Sequence, residues 1–431
     1  MNTMRSMTGL LLLALAACMP VRDPGPVDAS APFAELTATA FVALDEPLTS
    51  ARALQIALAR HPDVRAEMAR LDAVEAERVQ AGLLRNPMLS LMALRPEGGG
   101  RLAIEAGWMQ SLFDLLTRSR RVARADARAR RERAEVALRL LDVGWQAQRA
   151  FHEAVAAHAR VRLLQSELVL DQQALDLQAR WTRQGLSSQA EWLRWQALRD
   201  ERRHLLDEAG IEAIMAQSTL AMRLGLDSRQ ALRLPDEIER PQLSDEALAD
   251  GQARALRMRP ELKASAAAID LAARDRALDT GTLRAIEPEL GVRGERDADG
   301  MTMAGAELRV AWPWFDRGQA RGARRDAMQR EATWRDEAQR RQVLLEVETA
   351  LSVLSDAARV VAGSERHLLR ARAADALAAR RHRNGGIDLM TRIEAQRDVL
   401  VAERQCLDAR SALARAHVDL QQAVGAPGAG G

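Results

Sequence analysis

Residues 101–121 read RLAIEAGWMQSLFDLLTRSRR, and the hydrophobic period changes inside them. From Arg101 to Ser111 apolar and polar positions alternate. Leu102, Ile104, Ala106 and Trp108 fall on one face, and Arg101, Ala103, Glu105 and Gly107 on the other, the pattern of a strand with one apolar side. After Phe113-Asp114 no proline follows until beyond Gly185, so the strand feeds a very long helix. Residues 301–320, MTMAGAELRVAWPWFDRGQA, repeat the same transition. There Thr302, Ala304, Ala306, Leu308, Val310 and Trp312 oppose Glu307 and Arg309, Phe315-Asp316 follows, and the next comparable stop is Gly385-Gly386.

The repetition extends over most of the chain. Pro87, Phe113-Asp114, Gly185 and Gln196 recur as Pro288, Phe315-Asp316, Gly385 and Gln396, at offsets of 201, 202, 200 and 200 residues. His61-Pro62-Asp63 is answered by Arg259-Pro260-Glu261 at an offset of 198. A period this long exceeds any solenoid unit and marks a duplicated domain. Each copy reads helix, hairpin, very long helix, tight turn, long helix. The first copy is expected over 48–226, with a hairpin at 88–111 and a helix pair at 118–224. The second is expected over 243–426, with a hairpin at 289–312 and a helix pair at 317–424.

Each rod of about 65 residues would be on the order of 100 Å long as helix. Ala147, Ala150, Ala154, Ala157, Val161, Leu164, Leu168 and Leu175 keep a 3-4 alternation interrupted by Asp171. Leu344, Val347, Leu351, Leu354, Ala358 and Val361 do the same in the second copy. Sustained 3-4 spacing predicts coiled-coil packing, and alanine at the seam lets helices approach closely. The hairpins, one per copy, have the pattern of strands with lipid on one side and water on the other. Four strands cannot close a barrel and leave costly edges in lipid, so that reading requires association.

Composition agrees with helices. Of 431 residues, 47% are hydrophobic, 28% charged and 3% aromatic, with no tyrosine. The net charge of +2 offers no electrostatic case for nucleic acid, and arginines alternate with acids as on solvated helix faces. At the N-terminus Arg5 precedes the apolar run Gly9 to Ala17, too short to span a bilayer, followed by Leu15-Ala16-Ala17-Cys18. This reads as an export signal over 1–17 with a lipobox, making Cys18 the expected lipidation site bearing acyl chains. Residues 18–47 read as an extended tether and 427–431 as a flexible tail. With Cys406 the only other cysteine, there is no disulfide framework.

Several stretches carry a family resemblance. AGLLRNPMLS at 81–90, PWFDRGQAR at 313–321, and the turns Arg183-Gln184-Gly185 and Arg383-Asn384-Gly385, with Gln196 and Gln396 beyond them, resemble the TolC family of outer-membrane efflux proteins. The resemblance covers roughly Leu48 to Ala426. It implies a mainly α fold with a small β part: a homotrimer whose coiled-coil helices form an α-barrel and whose four strands per chain contribute to a 12-stranded transmembrane β-barrel. It further implies a passive conduit across the bacterial outer membrane, docked by a periplasmic adaptor protein and an inner-membrane transporter. Gly185, Gly385 and Gly386 would be the docking tips, and Asp388 and Glu394 the acids of a periplasmic constriction. The position six residues past Gly385, where the family carries an acid, is Thr391 here. The wording around Leu83 to Ser90 is nearest the metal-cation branch, though no histidine or methionine array accompanies it; drug efflux is the other expected type.

No catalytic, cofactor or metal site is legible. His152 and His158 lie six apart, which places them on different helix faces. Gly98 to Gly100 joins strands and does not open a helix as a phosphate loop would. The alternative reading is a lipid-anchored coiled-coil scaffold or adaptor without its own channel; two matched amphipathic hairpins argue against it.

Overall fold

A computed structural model describes residues 47–95, 97, 99–227, 232–238, 240–241, 250–279 and 282–426. The export signal, Cys18, the tether up to residue 46 and the tail at 427–431 lie outside them. Of the described residues 75% are helical, and they hold one four-stranded antiparallel sheet. No helix among the described residues is long and apolar enough to cross a membrane.

The first half opens with α1 (Ser50–Arg60), where the Thr49 hydroxyl accepts from the Arg52 N–H at 3.2 Å, and α2 (Pro62–Gly82). Pro62 occupies the first turn of α2, where its missing N–H costs nothing, and the His61 ring caps the Asp63 N–H. Strands β1 (Met88–Leu94) and β2 (Ala103–Ser111) follow, then α3 (Leu112–Arg183) and α4 (Gln189–Arg223). The second half contains α5 (Gly251–Met258), α6 (Pro260–Asp279), the short α7 (Thr282–Ile286), β3 (Glu289–Arg296), β4 (Thr302–Arg309), α8 (Gln319–Arg383) and α9 (Leu389–Val424). At 72 residues α3 is roughly 110 Å long. It starts directly on the sheet, before Arg118, because the Ser111 hydroxyl accepts from the Asp114 N–H at 3.3 Å and caps it there.

The long helices lie side by side in the order α4, α3, α9, α8, with α1, α2, α5 and α6 packed around their sheet-proximal halves. Small residues set the spacing. Ala147, Ala150, Ala154 and Val155 of α3 are buried with Ala53, Ile56 and Ala57 of α1, Leu220 of α4 and Ala414 of α9. A side chain at Gly144 would meet the Leu54 Cδ1 at 2.2 Å, so α1 crosses α3 where α3 has no side chain. The halves end alike. Gly225 and Gly425 terminate α4 and α9 at φ +67 and +73, the first against the backbone of Arg60 and His61, the second against Arg259.

Ion pairs fasten the flanking helices. Arg70–Glu132 (2.6 Å), Arg139–Glu67 (3.1 Å) and Arg128–Glu77 (2.7 Å) join α2 to α3. Helix α6 is held on both sides, by Arg124–Asp275 and Arg130–Asp270 (2.5 Å) to α3, and by Arg325–Asp279 (2.5 Å) and Arg276–Asp326 (2.5 Å) to α8. Helix α2 has such a partner on one side only.

The strand order is β1-β2-β3-β4, so the two hairpins join through β2 and β3 into one sheet. Trp108 pairs with Val292 and Ala106 with Gly294 across that junction. Strand β4 stops at Arg309, short of the Trp312 expected from the alternation. Beyond Arg309 the Ala311 N–H turns to the Ile286 carbonyl at 2.9 Å, since no further strand lies alongside.

Candidate functional site: a two-faced sheet and two helical tips

Register sorts the sheet into one mainly apolar face and one that carries most of its charges. In one direction project Leu89, Leu91, Ala93, Ile104, Ala106, Trp108, Leu290, Val292, Ala304, Ala306 and Leu308, aligned strand to strand. This side is uncovered: Leu89 is 78% exposed, Leu91 76% and Leu308 65%. The opposite face carries Glu105, Glu289, Arg293, Glu295, Glu307 and Arg309 together with the exposed Met88, Met92, Leu94 and Met303, while Gln110 and Arg296, near the strand ends, fall on the first face. Arg293 spans three strands, reaching Glu105 of β2 at 3.0 Å and Glu307 of β4 at 3.1 Å, while Arg309 meets Glu307 at 3.1 Å and Glu289 at 3.6 Å. A soluble sheet buries its apolar face on a core and wets the other. Here no helix covers the apolar face, and the charges are cross-linked on the far side.

Some 100 Å of helix separates the sheet from the tips. Gly185 and Gly385 adopt φ +73 and +74, and open space surrounds the positions their side chains would take. The two turns are built alike. The Gly185 N–H donates to the Thr182 carbonyl (3.1 Å) and the Leu186 N–H to that of Trp181 (2.9 Å). The Gly385 and Gly386 N–H groups donate to His382 (3.0 Å) and Arg381 (2.8 Å). The returning helices are capped by Ser188, which accepts from the Glu191 N–H at 3.2 Å, and by Asp388, which accepts from the Thr391 N–H at 2.8 Å. Hydrogen bonds from the Thr391 side chain and backbone hold the Asp388 carboxyl below the usual carboxylate range. Asp388 therefore sits at the tip as a helix cap, whereas Glu394 lies farther along α9, exposed beside the buried Ile393. Leu186, 72% exposed, is the apolar point of the first turn.

Between tips and sheet lies a charge cluster whose one sign among the amino acids is Asp171, standing in the apolar seam of α3. Its carboxylate is 1% exposed and accepts from Arg202 of α4 at 3.3 Å and from Arg397 of α9 at 3.1 and 2.5 Å. Glu167, one turn earlier, pairs with Arg202 at 2.6 Å and Arg404 at 3.5 Å. Arg397 also lies over the Trp195 ring, 4.8 Å from its centroid. Three helices from both halves are thus tied by five charged side chains. Distance in the chain hid the partners: Asp171 and Arg397 are 226 residues apart. Among the described residues no group of three or more histidine, cysteine or acidic side chains is placed to hold a metal ion.

The edges complete the picture. Strands β1 and β4 pair on one side only. Helices α4 and α8, outermost in the row, expose Ile211, Ile214 and Met215, and Leu345, Val353 and Val360. Phe113, at the β2–α3 junction, is 5% exposed beneath Arg284, but Phe315 at the equivalent β4–α8 junction is 94% exposed.

No family model matches this sequence, and no curated protein is similar to it. Solved structures do match. The outer-membrane channel OprN is 20% identical, with a TM-score of 0.67 over 91% of this chain and 95% of that one. The outer membrane protein VceC of Vibrio cholerae is 15% identical, with a TM-score of 0.70 over 88% and 96%. CusC, described in terms of folding and transmembrane channel formation, is 15% identical, with a TM-score of 0.68 over 88% and 92%. The chain therefore shares the fold of outer-membrane channel proteins along nearly its whole described length.

Proposed function

We propose that this chain is a passive outer-membrane conduit, three copies of which close a 12-stranded barrel in the lipid and a helical tunnel beneath it. The observation that carries this reading is the sheet with an uncovered apolar face, a cross-linked charged face and two open edges. Such a sheet is stable in lipid only when its edges are paired, because each unpaired backbone group in hydrocarbon costs several kcal/mol. Charges facing the barrel interior would line a water-filled lumen. The likeness to outer-membrane channels supports the same reading.

The tips Gly185, Gly385 and Gly386 are then the docking points for a periplasmic adaptor protein, which couples the conduit to an inner-membrane efflux transporter. Asp388 and Glu394 lie on the stretch that narrows the periplasmic entrance. Lipidation of Cys18 anchors the mature chain in the outer membrane. No chemistry is performed; cargo, of the metal-cation or drug type, is selected by the transporter.

Light scattering on the detergent-extracted mature protein, with the detergent contribution subtracted, tests the assembly. Three chain masses, together with stepwise conductance in a planar bilayer, is the expected result. A monomer that stays soluble without detergent would leave only the lipid-anchored scaffold.

A further inference from the structure

Each half ends its returning helix against a proline corner, and the two halves fill that corner differently. In the second half the corner is Arg259-Pro260-Glu261, between α5 and α6, and Gly425 at the end of α9 packs on it. Arg259 is 5% exposed. Its guanidinium reaches the two Glu261 oxygens at 2.6 and 3.2 Å, pairs with Glu346 of α8, and donates to the Ala423 carbonyl at 3.4 Å. One cation thus sits between two carboxylates and the carbonyl end of a helix, where the helix dipole also favours positive charge.

In the first half the corner is His61-Pro62-Asp63, and Gly225 at the end of α4 packs on it. Asp63 takes the place of Glu261 at an offset of 198 residues; Gln146 and Arg223 take those of Glu346 and Ala423 at 200. The carboxylate of the long helix is kept, one turn away. Gln146 donates to Asp142 at 2.5 Å, where the second half has Gln342 donating to Glu346 at 2.8 Å. The guanidinium alone has no counterpart, because the His61 Nδ1 accepts the Asp63 N–H at 3.2 Å and the ring stays at the corner. Beside that ring lies a cavity of about 240 Å³, with Asp63, Glu67, Asp142, Gln146 and Arg223 in its lining. The Asp63 side chain, 75% exposed, marks the mouth. The Glu67 side chain is 19% exposed, and its Oε2 is buried with no hydrogen-bond partner among the described residues. Arg139 offsets Glu67 at 3.1 Å, which leaves Asp63 and Asp142 against Arg223, one net negative charge.

We propose that this cavity binds a small organic cation bearing a guanidinium or primary ammonium group, in the place that Arg259 fills from within the chain in the second half. Its N–H donors satisfy the Glu67 Oε2 and the Asp142 carboxylate, and the carbonyl end of α4 stands where that of α9 receives Arg259. The volume is below the roughly 300–1,000 Å³ of drug-sized pockets, which restricts the occupant to a small molecule. A metal ion does not suit the lining, since no group of three or more histidine, cysteine or acidic side chains among the described residues is placed to hold one. Every lining residue comes from one chain, so the site stands independently of the channel reading.

The test uses the full-length protein in detergent, titrated calorimetrically with methylguanidinium chloride. Saturable binding at one site per chain is expected. Tetramethylammonium, which carries the charge but no N–H donor, is expected to bind at least about tenfold more weakly. His61→Arg supplies the missing group from the chain itself; it is expected to abolish binding and to raise the thermal midpoint. Asp142→Asn is expected to weaken binding by about tenfold with an unchanged circular dichroism spectrum. It decides the matter if the His61→Arg variant does not fold. No binding to the native protein, equal binding of the two cations, or native affinity in either folded variant would overturn the site.

Discussion

Asp171 shows how one side chain can serve an assembly of helices at the expense of local packing. A leucine would continue the α3 seam, but the buried carboxylate is satisfied by Arg202 and Arg397 and thereby holds α3, α4 and α9 together. Removing one member of a buried charge group leaves its partners desolvated and unpaired, which costs about 3–5 kcal/mol. Asp171→Ala is therefore expected to lower the unfolding free energy by that amount, read from denaturant titration. Replacing Asp171, Arg202 and Arg397 together by apolar residues is expected to recover most of it. Equal loss in both variants would mean that apolar packing at this layer cannot substitute for the charges.

His152 is the second informative residue. Burial pushes its pKa down to about 4, with the neighbouring His417 of α9 adding to the effect, and burial lowers that of His417 as well. A histidine whose folded pKa lies below its unfolded value of 6.5 stabilises the fold above pH 6.5, and the contribution is lost as pH falls towards 4. For His152 this is on the order of 3 kcal/mol. Thermal midpoints at pH 7.5 and pH 4.5 should differ clearly in the native protein. The difference should shrink in His152→Leu; an unchanged difference would place the acid sensitivity elsewhere.

At the scale of elements, the sheet depends on small residues where strands press together. A side chain on Gly291 would meet the Trp108 carbonyl at 2.2 Å and the Met109 sulfur at 2.8 Å, directly on the β2–β3 joint. Gly305, on β4, has nothing within 4 Å. Gly291→Val is expected to break the joint and abolish recovery of folded protein, while Gly305→Ala is expected to be recovered at native levels. Comparable recovery of both would show that β2 and β3 tolerate separation. The tips differ from this case, since Gly185 and Gly385 are required by backbone angle and not by space. Substitution there costs about 1 kcal/mol through φ alone.

At the scale of the whole molecule, the row of helices ends in two uncovered flanks and the sheet in two unpaired edges, and both belong to the same pair of half-repeats. A ring of copies satisfies all four at once. In the proposed tunnel Glu394 would face water near the tips, whereas Asp388 is committed to its cap. Glu394→Gln should reduce the cation preference of single-channel currents without shifting the denaturation midpoint. Asp388→Ala should instead cost about 1 kcal/mol of stability through the lost cap. A selectivity change from Asp388→Ala alone would reverse these roles.

Local rules made much of this protein legible from its amino acids. The hairpins followed from period-two alternation around Trp108 and Leu308, the long helices from sustained 3-4 spacing, and the tip turns from Gly185 and Gly385, where a left-handed residue is needed. All of these depend on neighbours within a few residues. The joining of β2 to β3, the crossing of α1 at Gly144 and the partners of Asp171 were decided only in three dimensions, because each brings together residues from distant parts of the chain. Phe113-Asp114 and Phe315-Asp316 put the difference most plainly. The dipeptides are identical, but one is buried and the other bare, since the second half of the chain lies beside the first and nothing in a single chain lies beside the second.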